Sequence, residues 1–173
     1  MEIITYVRRG AITHADNLGN QGRTEAGDVQ VMSAGTGILH AEYNKEDDPT
    51  TLFQIWIEPN QTGIEPRWDA RKFPKETRDG RLEILASGRP EDRDSDALTI
   101  HQDAAVLGAT LTAGEEITHR LGTGRSAYIV PARGTLEING RPAPERSGTA
   151  VTDVDDITIR AVTEAEVVVV DVP

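Results

Sequence analysis

Chemistry needs reactive side chains that can meet, and the stretch Glu25 to Asn44, EAGDVQVMSAGTGILHAEYN, offers such a pair in His40 and Glu42. Two residues apart on an extended strand, they point to one face. An imidazole nitrogen beside a carboxylate oxygen is half of a first-row transition-metal site. The spacing alone fits an ordinary solvated pair as well. His14 and Asp16 repeat the spacing beside a turn-rich loop and make a weaker second candidate, whereas His101 and His119 read as structural or exposed. Gly35-Thr36-Gly37 lacks the Lys-Ser/Thr and following helix of a phosphate loop and reads as a backbone kink.

The elements that must position this pair read as short strands. Glu2 to Val7 is β-branched and aromatic, Ala11 to His14 follows the turn Arg8-Arg9-Gly10, and Val29 to Met32 precedes the glycine kink. Leu52 to Ile57 is apolar enough to be buried on both sides. Gln54 and Trp56 share one of its faces; Phe53, Ile55 and Ile57 share the other. A polar side chain in such a strand wants a partner, so Gln54 is directed toward the site, and Met32, Ile38 and Gln54 are the pocket candidates. From Leu98 the rhythm resumes with Leu98 to Ile100, Ala105 to Leu111, Ser126 to Val130, Thr135 to Ile138, Ile157 to Arg160 and Val167 to Val170, and Asn139-Gly140 has the composition of a type I′ hairpin turn. Short strands at regular spacing, with no helical period, predict an all-β barrel or sandwich.

Composition narrows the function classes. With 18 basic and 29 acidic side chains the net charge is -11, and no basic run offsets it, so direct nucleic-acid and anionic-membrane binding are not expected. The absence of cysteine removes disulfides, zinc-thiolate sites and a thiol nucleophile. No apolar run approaches the roughly 18 residues of a membrane span, and a cytoplasmic protein is expected.

The chain reads as two related halves. Tyr6 to Ile12 is echoed by Tyr128 to Val130 with Gly134 to Leu136, and Glu25-Ala26-Gly27 by Glu145 to Gly148. The expected organisation is an N-terminal domain over 1–66, a proline-broken and charged connection over 67–97 and a C-terminal domain over 98–173. About thirty residues precede the Tyr128 strand in the second half and none precede the first, so the first barrel is expected to lack its opening strands.

At MEIITYV, HADNLGN, MSAGTGILHAEYN and LFQIWIEPN the chain resembles the pirin family of bicupins, whose bacterial members include quercetin 2,3-dioxygenases. The resemblance implies two cupin (double-stranded β-helix) barrels, with Glu25 to Asn44 as the second cupin motif of the first barrel. Ser33 stands where a proline is usual. It implies one divalent transition metal, iron foremost, with nickel, copper, manganese or zinc as alternatives, held by three His and one Glu. His40 and Glu42 match two of the four ligands; the other two come from a His-Pro-His segment that the family places just upstream of the strand matching Glu2 to Val7. The second barrel has no counterpart of His40 and is expected to be metal-free.

The implied activity is dioxygenation of a flavonol such as quercetin, with Glu42 as ligand and catalytic base. Two protein ligands predict weak or no retention of the ion, and hence an impaired or truncated form of the enzyme. The alternative is a non-catalytic protein-binding or regulatory module. The expected partners are accordingly a flavonol-like small molecule or a protein, with homo-oligomers forming through uncovered strand edges.

Overall fold

The computed structural model describes residues 1–73 and 80–173, and among these it holds seventeen strands and one 3-10 turn, Pro90–Asp92. No helix among the described residues is long and apolar enough to cross a membrane. The chain divides into two compact units, one of residues 1–74 with 86–102, the other of residues 75–85 with 103–173.

In the first unit, β1 (Glu2–Arg9), β4 (Val29–Ser33), β6 (Thr51–Ile57) and β7 (Arg67–Arg71) form an antiparallel sheet in the order β6-β1-β4-β7. A second sheet has the order β3-β2-β5, from β2 (Ala11–Asp16), β3 (Gln21–Glu25) and β5 (His40–Tyr43). β1 and β4 read as near-continuous apolar runs because they are the central strands, buried on both faces: Glu2 through Val7 and all of Val29–Ser33 are buried. Register sets the rows of one face of the four-stranded sheet. Gln54, Thr5 and Gln30 stand side by side in one row; Trp56, Ile3, Met32 and Trp68 make up the next. Between β4 and β5 the chain kinks at Gly35 (φ +51°) and Gly37 (φ +132°), backbone values that favour glycine. A Cβ on Gly35 would stand 2.3 Å from the Ile64 carbonyl oxygen.

The second unit pairs strands in the order β15-β12-β17-β10-β8 and β11-β16-β13-β14. Their ranges are β8 (Glu83–Ser87), β10 (Ala105–Leu111), β11 (Glu116–Arg120), β12 (Ser126–Arg133), β13 (Leu136–Ile138), β14 (Arg141–Ala143), β15 (Thr149–Thr152), β16 (Asp156–Ala161) and β17 (Ala165–Val172). Alternating side chains such as Ile157 and Ile159 meet Leu107, Leu111, Ile129 and Leu136 in one core. Asn139 and Gly140 both have positive φ (47° and 74°), as a type I′ turn requires.

The units do not follow the expected boundaries. The stretch 67–97, read as a connection, contributes β7, which pairs with β4 along its whole length, and the end of β8. Leu98 and Thr99, read as the start of the second domain, form β9 (Leu98–Thr99) in the first unit, pairing in parallel with Ala86 and Ser87. Prolines and charges masked these elements. β7 is an edge strand whose arginines donate to carbonyls later in the chain, Arg67 to that of Thr99 and Arg71 to that of Asp96, so its charges are uses of the edge rather than signs of a linker.

Candidate metal and carboxylate site

His40 and Glu42 are the first and third residues of β5, two apart and on one face. Directly across the ladder stand Asp16 opposite His40 and His14 opposite Glu42, so all four side chains share a face of the three-stranded sheet. Sequence placed His14 and Asp16 beside a turn; the structure carries β2 through Asp16 and buries both side chains completely.

Asp16 is the anchor of the adjoining loop. Its Oδ1 accepts from the backbone N–H of Leu18 and of Asn20, and its Oδ2 from Asn20 Nδ2 and from His14 Nε2 at 2.9 Å. Burial raises its pKa, but these donors outweigh burial and hold it down to about 2. An ionised Asp16 can only accept, so His14 Nε2 carries a proton toward it. His14 Nδ1 is buried and without a hydrogen-bond partner. The His14 ring stacks on His40 (centroids 5.8 Å apart) and on Trp68 (4.8 Å).

Glu42 reaches onto the row Gln54, Thr5, Gln30 of the other sheet. Its Oε1 accepts from Gln30 Nε2 and, at 3.4 Å, from Thr5 Oγ1; its Oε2 accepts from Gln54 Nε2 at 3.1 Å. Gln30 Oε1 in turn accepts from Thr24 Oγ1 (3.1 Å) and Trp68 Nε1 (3.3 Å), and Gln54 Oε1 from Trp56 Nε1 (2.9 Å). With two acceptor positions per oxygen, Oε2 keeps one lone pair uncommitted.

The structure thus brings His40, Glu42 and Gln54 together. Met32 lies on the same face as Gln30, one row away, and is buried. Ile38 lies outside the strands, half-buried in the loop 34–39. Gln30, Thr5 and Trp68 were missed as members of the site, and His14 was named only as the weaker second candidate. Gln30 carries, in the fully buried strand β4, the signal that was read at Gln54; β6 itself ends its sheet with Gln54 exposed, so Leu52 to Ile57 is not buried on both sides as expected.

One imidazole, one carboxylate oxygen with a lone pair and their common face suit a divalent transition metal in donor type. They are part of a ligand set: among the described residues no group of three or more His, Cys, Asp or Glu converges to hold an ion.

Residues 1–57 match the family description Pirin, and residues 84–172 match Quercetinase C-terminal cupin domain. A pirin-like protein of Caulobacter vibrioides is 58% identical over 171 residues, 99% of this chain and 73% of that protein. The chain belongs to the pirin family. A quercetin 2,3-dioxygenase of Escherichia coli is 38% identical to this pirin over 174 residues, 100% of this chain and 73% of the relative. The crystal structure of the bacterial pirin YhhW in complex with nickel(II), also from Escherichia coli, superposes with a TM-score of 0.90 at 37% identity, covering 100% of this chain and 72% of that one. The two all-β units are the cupins of a bicupin.

Proposed function

We propose that this pirin acts as a metal-dependent dioxygenase on a flavonol-like enol, with His40 and Glu42 contributing to the metal's ligand set. The observation that carries the reading is the Glu42 carboxylate, placed on the His40 face and held by amide and hydroxyl donors while one lone pair of Oε2 stays free. When bound, the metal would bring the deprotonated enol and O₂ together. Glu42 would accept the substrate hydroxyl proton at Oε2, the oxygen with unused capacity. Ion and proton compete for that position, so base action needs the carboxylate free of the ion. Two donors are part of a ligand set, and two alone hold an ion weakly, so retention depends on the remaining donors.

A second reading, a protein-binding module or self-associating chain, draws on the edges of the first unit. β5 and β6 each end their sheet, and Leu39 and Trp56 beside them are 76% and 63% exposed.

Elemental analysis of the purified chain tests both, with His40→Ala and Glu42→Ala as controls, followed by oxygen uptake with quercetin. About one transition metal per chain, lost in both controls, supports the enzyme reading. No metal uptake and no oxygen consumption at any added metal concentration refutes it, and light scattering on the same samples then decides whether the chain self-associates.

A further inference from the structure

The two tryptophans of the chain, Trp56 and Trp68, both end on amides that in turn end on Glu42. An indole N–H can only donate, so the amide atom facing it must be the carbonyl oxygen. Trp68 therefore fixes Gln30 with Oε1 toward the indole and its NH₂ toward Glu42 Oε1, and Trp56 fixes Gln54 with its NH₂ toward Glu42 Oε2. An amide turned the other way would set oxygen against the carboxylate and N–H against N–H. We propose that Trp68 and Trp56 are positioning residues, which act through Gln30 and Gln54 to hold the Glu42 carboxylate in one orientation with Oε2 left open. The functional half of this rests on the reading of Glu42 as the site carboxylate.

The two relays are unequal. Gln30 is 3% exposed, so water cannot replace the indole, and the Thr24 hydroxyl that remains beside it can donate or accept and so does not fix the amide; Gln54 is exposed, so water can replace its indole partner. Trp68 also stacks on His14, which stacks on His40, so this one side chain touches the supports of both candidate ligands. Its seat is made by Gly22, where a Cβ would stand 2.1 Å from Trp68 Cη2.

The test uses the full chain labelled with ¹⁵N, the side-chain amide signals being assigned with Gln30→Met and Gln54→Met. In Trp68→Phe, which keeps an aromatic ring on His14 but removes the donor, the Gln30 NH₂ signals should shift and exchange about five-fold faster, the loss of one modest hydrogen bond. Trp56→Phe, a change at an exposed position, should move the Gln54 signals and leave those of Gln30 in place. Unchanged Gln30 signals in Trp68→Phe, with backbone amides showing the fold intact, overturn the proposal. Titration with nickel(II) chloride adds the functional arm. Trp68→Phe should weaken binding about five-fold in the parent and not further in the Gln30→Met background, because the indole acts through that amide. Additive losses overturn that role. A parent chain that takes up no nickel refutes the metal reading instead, and the amide signals still decide the positioning.

Discussion

Gly22→Ala separates what the fold needs at this position from what any strand would prefer. In an ordinary strand interior, alanine is better than glycine by about 0.5–1 kcal/mol, because glycine loses more backbone freedom on folding. Gly22 has no positive φ, so the backbone itself would accept the change. The obstacle is Trp68. A Cβ at Gly22 would meet Cη2 at 2.1 Å and Cζ2 and Cζ3 at 3.0 Å, while an ordinary contact begins near 3.4 Å, so the indole must retreat by about 1.3 Å. That retreat works against the stack on His14 at 4.8 Å and the bond to Gln30 at 3.3 Å. Overpacking of this kind costs about 1–3 kcal/mol, and the lost bond about 1 kcal/mol, which together outweigh the gain in backbone entropy. The variant should therefore be destabilised by about 1–3 kcal/mol in denaturant titrations. In a Trp56→Phe background, where Trp68 is the sole indole, its emission should shift to the red. A variant at least as stable as the parent, with unchanged emission, would show that Trp68 is not seated on Gly22 and would refute the reasoning.

Other predictions concern the second unit. Asp171, fully buried, accepts from His119 Nε2 at 2.8 Å and from Arg125 Nε at 2.7 Å. Burial raises its pKa, but the bonds from His119 and Arg125 and their charges hold it below the ordinary 3.8. Asp171→Asn should cost about 2–4 kcal/mol at neutral pH, since the buried carboxylate charge between His119 and Arg125 is removed while the Arg125 contacts with Asp103 remain. The depressed folded pKa means that this stability is present above pH 3.8 and is lost as pH falls through the folded value, so parent and variant should converge in acid; a constant gap down to pH 2 contradicts the assignment. Glu166 shows the opposite sign. Burial lifts its carboxyl from 4.5 to about 7, so the stability it contributes below pH 4.5 is lost as pH rises through about 7. Glu166→Gln should be neutral near pH 4 and stabilising by about 1–3 kcal/mol at pH 8; equal midpoints at both pH values would refute this.

Most of the strand plan was legible because it rests on local regularities. β1, β4, β6 and β10 are runs of β-branched and apolar residues, and Asn139-Gly140 announces its own turn. β3, β7 and β11 were not legible. QGRTE, RWDAR and EITHR are largely exposed or half-exposed edge strands, held by pairing with a neighbour rather than by an apolar pattern of their own. The same limit moved the expected unit boundaries, because Leu98 and Thr99 are recruited by a parallel pairing with Ala86 and Ser87 that no local signal encodes.

Sequence by itself determined that His40 and Glu42 share a face, since a period of two on a strand leaves no choice. It also pointed to a partner for Gln54, which bonds Glu42, although the reason, burial of the strand, fails because β6 is an edge strand with Gln54 exposed. Only the tertiary structure decided that Gln30, Thr5 and Gln54, from three different strands, form one row beneath Glu42, and that His14 pairs across the ladder from it. Register is a property of two strands at once, set by which faces must be buried together. So is the orientation of the amides: whether Gln30 shows Glu42 its oxygen or its NH₂ depends on an indole 38 residues away.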